Sequence, residues 1–202
     1  NLPAAALCTF ILWLGWFGFN GGSALAMDNA AIANEVANVV MNTNAAAAGG
    51  VIECLVVARV FFKKTNLLYA LNGAIGGLVA ITAEPLMPTP LAAILIGAVG
   101  GMLVVFGTKL LFSLKIDDVV GAVPAHMFAG IWGTLAVPIT NSAANFGTQL
   151  LGVISINVFV FIVSLIVWSI MKATMGIRLS KEAEMKGTDV SETGVIAYAI
   201  RD

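Results

Sequence analysis

Charge is scarce here: ten basic and eleven acidic residues in 202, or 10% of the chain, against ~25% in an ordinary soluble domain. Apolar residues make up 59% and the mean hydropathy is +0.97. Such a composition excludes a water-soluble globule and leaves a membrane protein. No basic stripe interleaved with aromatics exists, so a nucleic-acid partner is excluded as well. Cysteine occurs twice, at Cys8 and Cys54. Both lie in apolar segments and read as small core residues, not as a disulfide or metal pair. Nucleotide loop, metal cluster and nucleophile arrangement are all missing, so neither catalysis nor a cofactor or metal is expected. No internal repeat is visible. Residue 1 is Asn, and no signal peptide with a basic flank precedes the first apolar run. A chain that begins mid-protein, or that has been cut, is the expectation.

Histidine occurs once, at His126, inside Gly121–Gly133, GAVPAHMFAGIWG. At ~1.5 Å per helical residue it lies about 12 Å beyond Asp118, the last charge before the segment. The hydrocarbon core is ~30 Å thick, which places the imidazole near the midplane. An ionisable group at that depth is costly and is a site candidate by default. Its helical neighbours Ala122, Ala125, Ala129, Gly130 and Gly133 are small. They leave room for a close-packed backbone or for a narrow passage. Pro124 cannot donate to the Val120 carbonyl, so a kink and an unserved acceptor are expected just before the histidine. A pore-facing histidine and a buried one bonded to a neighbouring helix both remain open at this point.

The pattern predicts a transmembrane domain over 1–175, with spans at about 2–27, 36–62, 67–82, 91–112, 119–140 and 149–172, and a soluble tail over 176–202. The first span ends in GWFGFNGGSA, where Trp16, Phe19 or Asn20, and Ser23 follow one face. An interfacial aromatic belt would read the same way. Residues 28–44 are polar and mixed, and AAAAGG follows. Glu53 suggests a structural partner for a neighbouring helix. Gly73, Ala74 and Gly77 form a small-residue packing surface, and Asn72 suggests a bond between helices. Glu84-Pro85 and Pro88-Thr89-Pro90 make a rigid turn. The sixth span is bulky and β-branched, as suits lipid contact.

Six spans put both ends on one side. Arg59, Lys63 and Lys64 then share a face with Lys109 and Lys115, and with Lys172, Arg178, Lys181, Lys186 and Arg201. All ten basic residues lie there, and the three opposite loops carry only Asp28, Glu35 and Glu84 as charges. By the positive-inside rule the tail is cytoplasmic.

GWFGFNGGSA (15–24), MNTN (41–44), ALNGAIGGLVAIT (70–82), IDDVVGAVPAHMFAGIWG (116–133) and GIRLSKEAEMKGTDVSETG (176–194) together resemble ammonium transporters of the Amt/Mep/Rh family. The resemblance runs from Asn1 to about Tyr198 and covers the C-terminal six helices of an eleven-helix, inverted-repeat membrane bundle. It implies an all-α fold, a homotrimer in the lipid bilayer, and a narrow hydrophobic pore for ammonium and ammonia with two facing histidines. His126 corresponds to one of them, and the other belongs to the half not covered. Ala122, on the small-residue stripe, is grouped with His126 as pore-lining. By the same comparison Trp16 is a pore-lining aromatic, Phe19 the outer aromatic gate, and Ser23 the hydroxyl of the recruitment site. The tail resembles a segment that receives PII-type regulatory proteins, with Arg178, Glu182 and Asp189 as the expected contacts. Two departures stand out. Where many members read DVFGVHG this chain has GAVPAHM, and Thr193 stands where histidine is frequent. A subgroup with a GA-x-x-x-H pattern shares the first change.

The implied mechanism is recruitment of ammonium at the outer site, removal of its proton, and passage of ammonia beside the histidine. A sensor signalling through its tail, or a half-length protein that packs without conducting, are the alternatives.

Overall fold

The computed structural model describes residues 1–196, and every regular element among them is helical. Arg201 and Tyr198, which entered the charge count and the resemblance, lie outside the described residues. The chain divides into two units, residues 1–153 and 154–202.

In the first unit, helices α1 (Leu2–Gly22), α2 (Ala30–Phe62), α3 (Leu67–Thr82), α4 (Pro90–Ser113) and α5 (Ala129–Thr140) form the bundle. A π turn, Val123–Phe128, leads directly into α5. Helix α6 (Phe146–Thr174) begins in this unit and continues into the second. Among the described residues five apolar stretches are long enough to cross a membrane: α1, α2, α4, the π turn with α5, and α6. Helix α3 is apolar but has only 16 residues, about 24 Å of rise.

Caps set these boundaries. The Asn29 carboxamide oxygen accepts from the amides of Ala31 and Ile32, so α2 starts at Ala30 and takes in residues 30–35, which the sequence reading leaves outside the second span. Its 33 residues rise about 50 Å, well beyond the hydrocarbon core. Asn66 and Thr89 cap α3 and α4 in the same way, with Pro90 at the first position of α4.

The alanine–glycine run of α2 is where three backbones meet. A Cβ on Gly97 or Gly77 would strike the backbone of Ala46, and one on Gly101 would strike that of Gly50. Gly50 in turn lies against the Gly73 carbonyl, and Gly76 against Gly100. Small residues let helices approach closely where lipid supplies no hydrophobic drive for association. Helix α3, packed against α1, α2, α4 and α5, is accordingly the most enclosed, with Leu71, Ile75, Leu78 and Ile81 all buried.

Polar groups inside are mostly paired. Asn42 donates to the carbonyls of Pro85 and Pro88 at 2.9 and 2.7 Å, anchoring the α3–α4 turn to α2. Glu84 accepts from the Asn141 carboxamide at 2.9 Å, tying that turn to the end of α5. The Cys54 thiol is buried and donates to the Tyr69 carbonyl, whereas Cys8 faces outward and is no core residue. Glu53 is half-buried and pairs with nothing among the described residues.

In the second unit, the remainder of α6 is followed by α7 (Lys181–Lys186) and a π turn, Asp189–Thr193. Helix α6 buries none of its residues, and its most apolar window has a mean hydropathy of 2.8. That is the composition of a helix solvated by hydrocarbon.

Candidate functional site

Helix α1 presents Trp16, Phe19 and Ser23 on one side. Asn20 turns the other way: it is 2% exposed, and its carboxamide donates to the Thr43 hydroxyl at 3.0 Å. The aromatic stripe therefore continues through Phe19, which is 66% exposed. The Ser23 hydroxyl donates to the Phe19 carbonyl at 3.1 Å. Its single proton is thereby used inside the helix, and its lone pairs face outward as acceptors.

The histidine reaches its place through a built entry. The Asp118 carboxylate accepts from the amides of Ala122 and Val123, both at 2.9 Å, and so closes the start of the helical run. Gly121 has φ +73°, a left-handed conformation open to glycine, and a Cβ there would press on the Asn72 carboxamide. Gly121 stands where the resemblance places an aspartate, and the capping carboxylate here comes from Asp118. Pro124 does leave the Val120 carbonyl without a helical donor. The Asn72 carboxamide supplies the missing hydrogen, at 2.7 Å. The chain then takes a wide turn in which the Ala129 amide reaches back to the Pro124 carbonyl. A π segment of this kind offsets the side chains relative to a regular helix, and His126 sits within it.

His126 meets Trp16. The two rings are stacked at 24°, with centroids 6.5 Å apart, and Phe19 stands edge-on to Trp16 at 6.3 Å and 61°. His126 and Ala122 are both exposed on this face, as is Phe19. Among the described residues the imidazole makes no hydrogen bond. A shallow apolar groove over Ile11, Leu12, Gly15, Trp16 and Phe19 continues the face along α1.

Sequence reading missed Thr82. Its hydroxyl accepts from the Trp16 indole N–H at 2.7 Å, 66 positions away in the chain. A threonine closing an apolar run carries no sign of that contact, because only the packing of α3 beside α1 creates it.

The profile of the Ammonium Transporter Family matches residues 1–198. The chain belongs to this family. It is 37% identical over 218 residues to the ammonium transporter Amt2 of Archaeoglobus fulgidus, covering 98% of this chain and 46% of that protein. An ammonium transporter of Bacillus subtilis is 36% identical over 217 residues, with 98% and 52% covered. Among solved structures, one described as a sensor Amt protein superposes with a TM-score of 0.87 at 34% identity, covering 96% of this chain and 49% of that one. The crystal structure of Candida albicans Mep2 gives 0.81 at 26% identity, with 96% and 46% covered. The chain spans about half the length of these relatives. It is a multi-pass membrane protein of the ammonium transporter family, with the all-helical fold of the Amt and Mep structures.

In this family member the tail residues Arg178, Glu182 and Asp189 all fall in the second unit. Arg178 is held by Glu184 through two bonds, Nε to Oε1 at 2.6 Å and Nη2 to Oε2 at 3.2 Å. Glu182 is exposed in the first turn of α7, and Asp189 is half-buried in the π turn.

Proposed function

We propose that this chain supplies the His126-bearing wall of an ammonium pathway. Ammonium and potassium ions carry the same charge and differ little in size, so discrimination has to use ammonium's directional donors and its removable proton. Ser23 offers hydroxyl lone pairs to those donors, and Trp16 and Phe19 offer ring faces. Each cation–π contact contributes ~0.5–2 kcal/mol. Burying the bare ion in an apolar passage costs on the order of tens of kcal/mol by Born estimates. The contacts cannot offset that cost. The ion therefore gives its proton to water at the outer mouth, leaving hydronium there, and neutral ammonia passes beside Ala122 and His126, where a neutral imidazole offers one donor and one acceptor.

The single observation that supports this reading most is the stacking of Trp16 on His126, which joins the aromatic stripe of α1 to the histidine in one exposed apolar face. The Lys109 ammonium, 4.6 Å over the Phe62 ring, brings basic ends of α2 and α4 together. That supports a cytoplasmic placement of those ends, and the six-span reading that counts the short helix α3 puts the tail on the same side. A homotrimer, and a PII-type protein received by Arg178, Glu182 and Asp189, complete the proposal.

The test is His126→Leu in cells lacking their own ammonium uptake. The expected result is a change in ammonium flux or in ammonium-over-potassium selectivity, with normal membrane insertion. Flux and selectivity both unchanged would refute the assignment. The solved structure described as a sensor Amt protein favours a second reading, in which ammonium binding alters the tail. Ammonium-dependent change in tail protection without any flux would select it. Neither flux nor binding would leave a non-conducting half-length protein.

A further inference from the structure

Building on Trp16 and His126 as pathway residues, we propose that Thr82 is a positioning residue: it turns the Trp16 indole so that its face, and not its N–H edge, meets the passing ion. Thr82 is the last residue of α3. Its hydroxyl donates to the Leu78 carbonyl at 2.7 Å and accepts from Trp16 Nε1 at 2.7 Å. A threonine hydroxyl has one proton. With that proton directed to Leu78, Thr82 faces the indole purely as an acceptor.

An indole has one polar hydrogen and no acceptor, so this one bond takes up its whole hydrogen-bonding capacity. Two side-chain torsions otherwise leave the ring free to turn. Pinned at the nitrogen, the ring lies stacked against His126 and receives the edge of Phe19. The orientation matters for a cation. An aromatic face carries negative charge density and the edge carries positive. A free N–H turned into the path would present a donor to an ion that is itself all donors. Thr82 withdraws that hydrogen from the path and leaves the attractive face.

Thr82→Val keeps the shape and removes the acceptor, and Thr82→Ser keeps the acceptor. The proposal predicts that Val raises the apparent KM for ammonium about three- to tenfold, the range of one lost hydrogen bond, with little change in maximal flux. Ser restores the wild-type KM. In protein labelled with 15N-tryptophan in lipid nanodiscs, the Trp16 indole resonance, assigned through Trp16→Phe, shifts in the Val variant and returns in the Ser variant. The Trp132 indole, which donates to the Ile96 carbonyl at 3.0 Å, serves as the internal control and stays in place. A Trp16 resonance indifferent to Thr82→Val, or a Ser variant that behaves like Val, would overturn the proposal. Wild-type protein without ammonium flux would instead bring down the pathway reading, and the resonance would still decide whether Thr82 holds the ring.

Discussion

Asn72 donates its carboxamide hydrogen to the Val120 carbonyl at 2.7 Å, an acceptor in the turn before the helical run that Pro124, with no N–H, cannot serve. Pro124, in the first turn of the helical run before His126, and the asparagine that serves the Val120 carbonyl come from different elements. Together they fix where the histidine segment starts.

Asn72→Leu leaves that carbonyl unserved. Interhelical hydrogen bonds in membrane bundles contribute ~0.6 kcal/mol on average and ~1–2 kcal/mol at the upper end. The expected outcome is a thermal midpoint in detergent lowered by a few degrees, together with increased amide exchange over the Val123–Phe128 turn. Unchanged exchange there would mean that Asn72 packs against Gly121 without supporting the start of the turn.

Asp118→Ala removes the acceptor for the Ala122 and Val123 amides. Loss of a cap costs ~0.5–2 kcal/mol. Asp118→Asn retains an oxygen and is expected to keep most of the stability. Comparing the thermal midpoints of the two variants checks this order.

Gly97→Ala forces a methyl group into the Ala46 backbone, which cannot swing aside as a flexible side chain would. Overpacking of this kind typically costs ~1–3 kcal/mol. Gly152→Ala meets nothing within 4 Å and lies within a helix, where alanine is favoured over glycine by ~1 kcal/mol. The first variant should lose folded protein in detergent by size-exclusion chromatography, and the second should not.

In the tail, the hydrogen bonds from Arg178 hold the Glu184 carboxyl below its ordinary value. A carboxylate whose folded pKa is lowered stabilises the fold above its unfolded value, and the contribution fades as pH falls through the folded value. The order of α7 should therefore persist at neutral pH and weaken on acidification below the usual carboxylate range. Arg178→Gln should return the Glu184 carboxyl titration, followed by 13C NMR, to the ordinary value.

The sequence alone determined the class of molecule, because 59% apolar residues leave no soluble fold and because a membrane rewards long uniform runs that are visible one residue at a time. It also pointed to His126, since one ionisable group in an apolar segment stands out without any coordinates. The glycines of α3 were legible as a packing surface, yet their partners in α2 and α4 were not. Which backbones meet at Ala46 and Gly50 depends on how three helices cross. Tertiary structure alone decided that Asn72 serves Val120, that Phe19 and not Asn20 joins the aromatic face, and that Thr82 pins Trp16. The reason is common to all three: a hydrogen bond or ring contact is set by distance and angle between atoms far apart in the chain, and helical periodicity reports only which side of one's own helix a residue occupies.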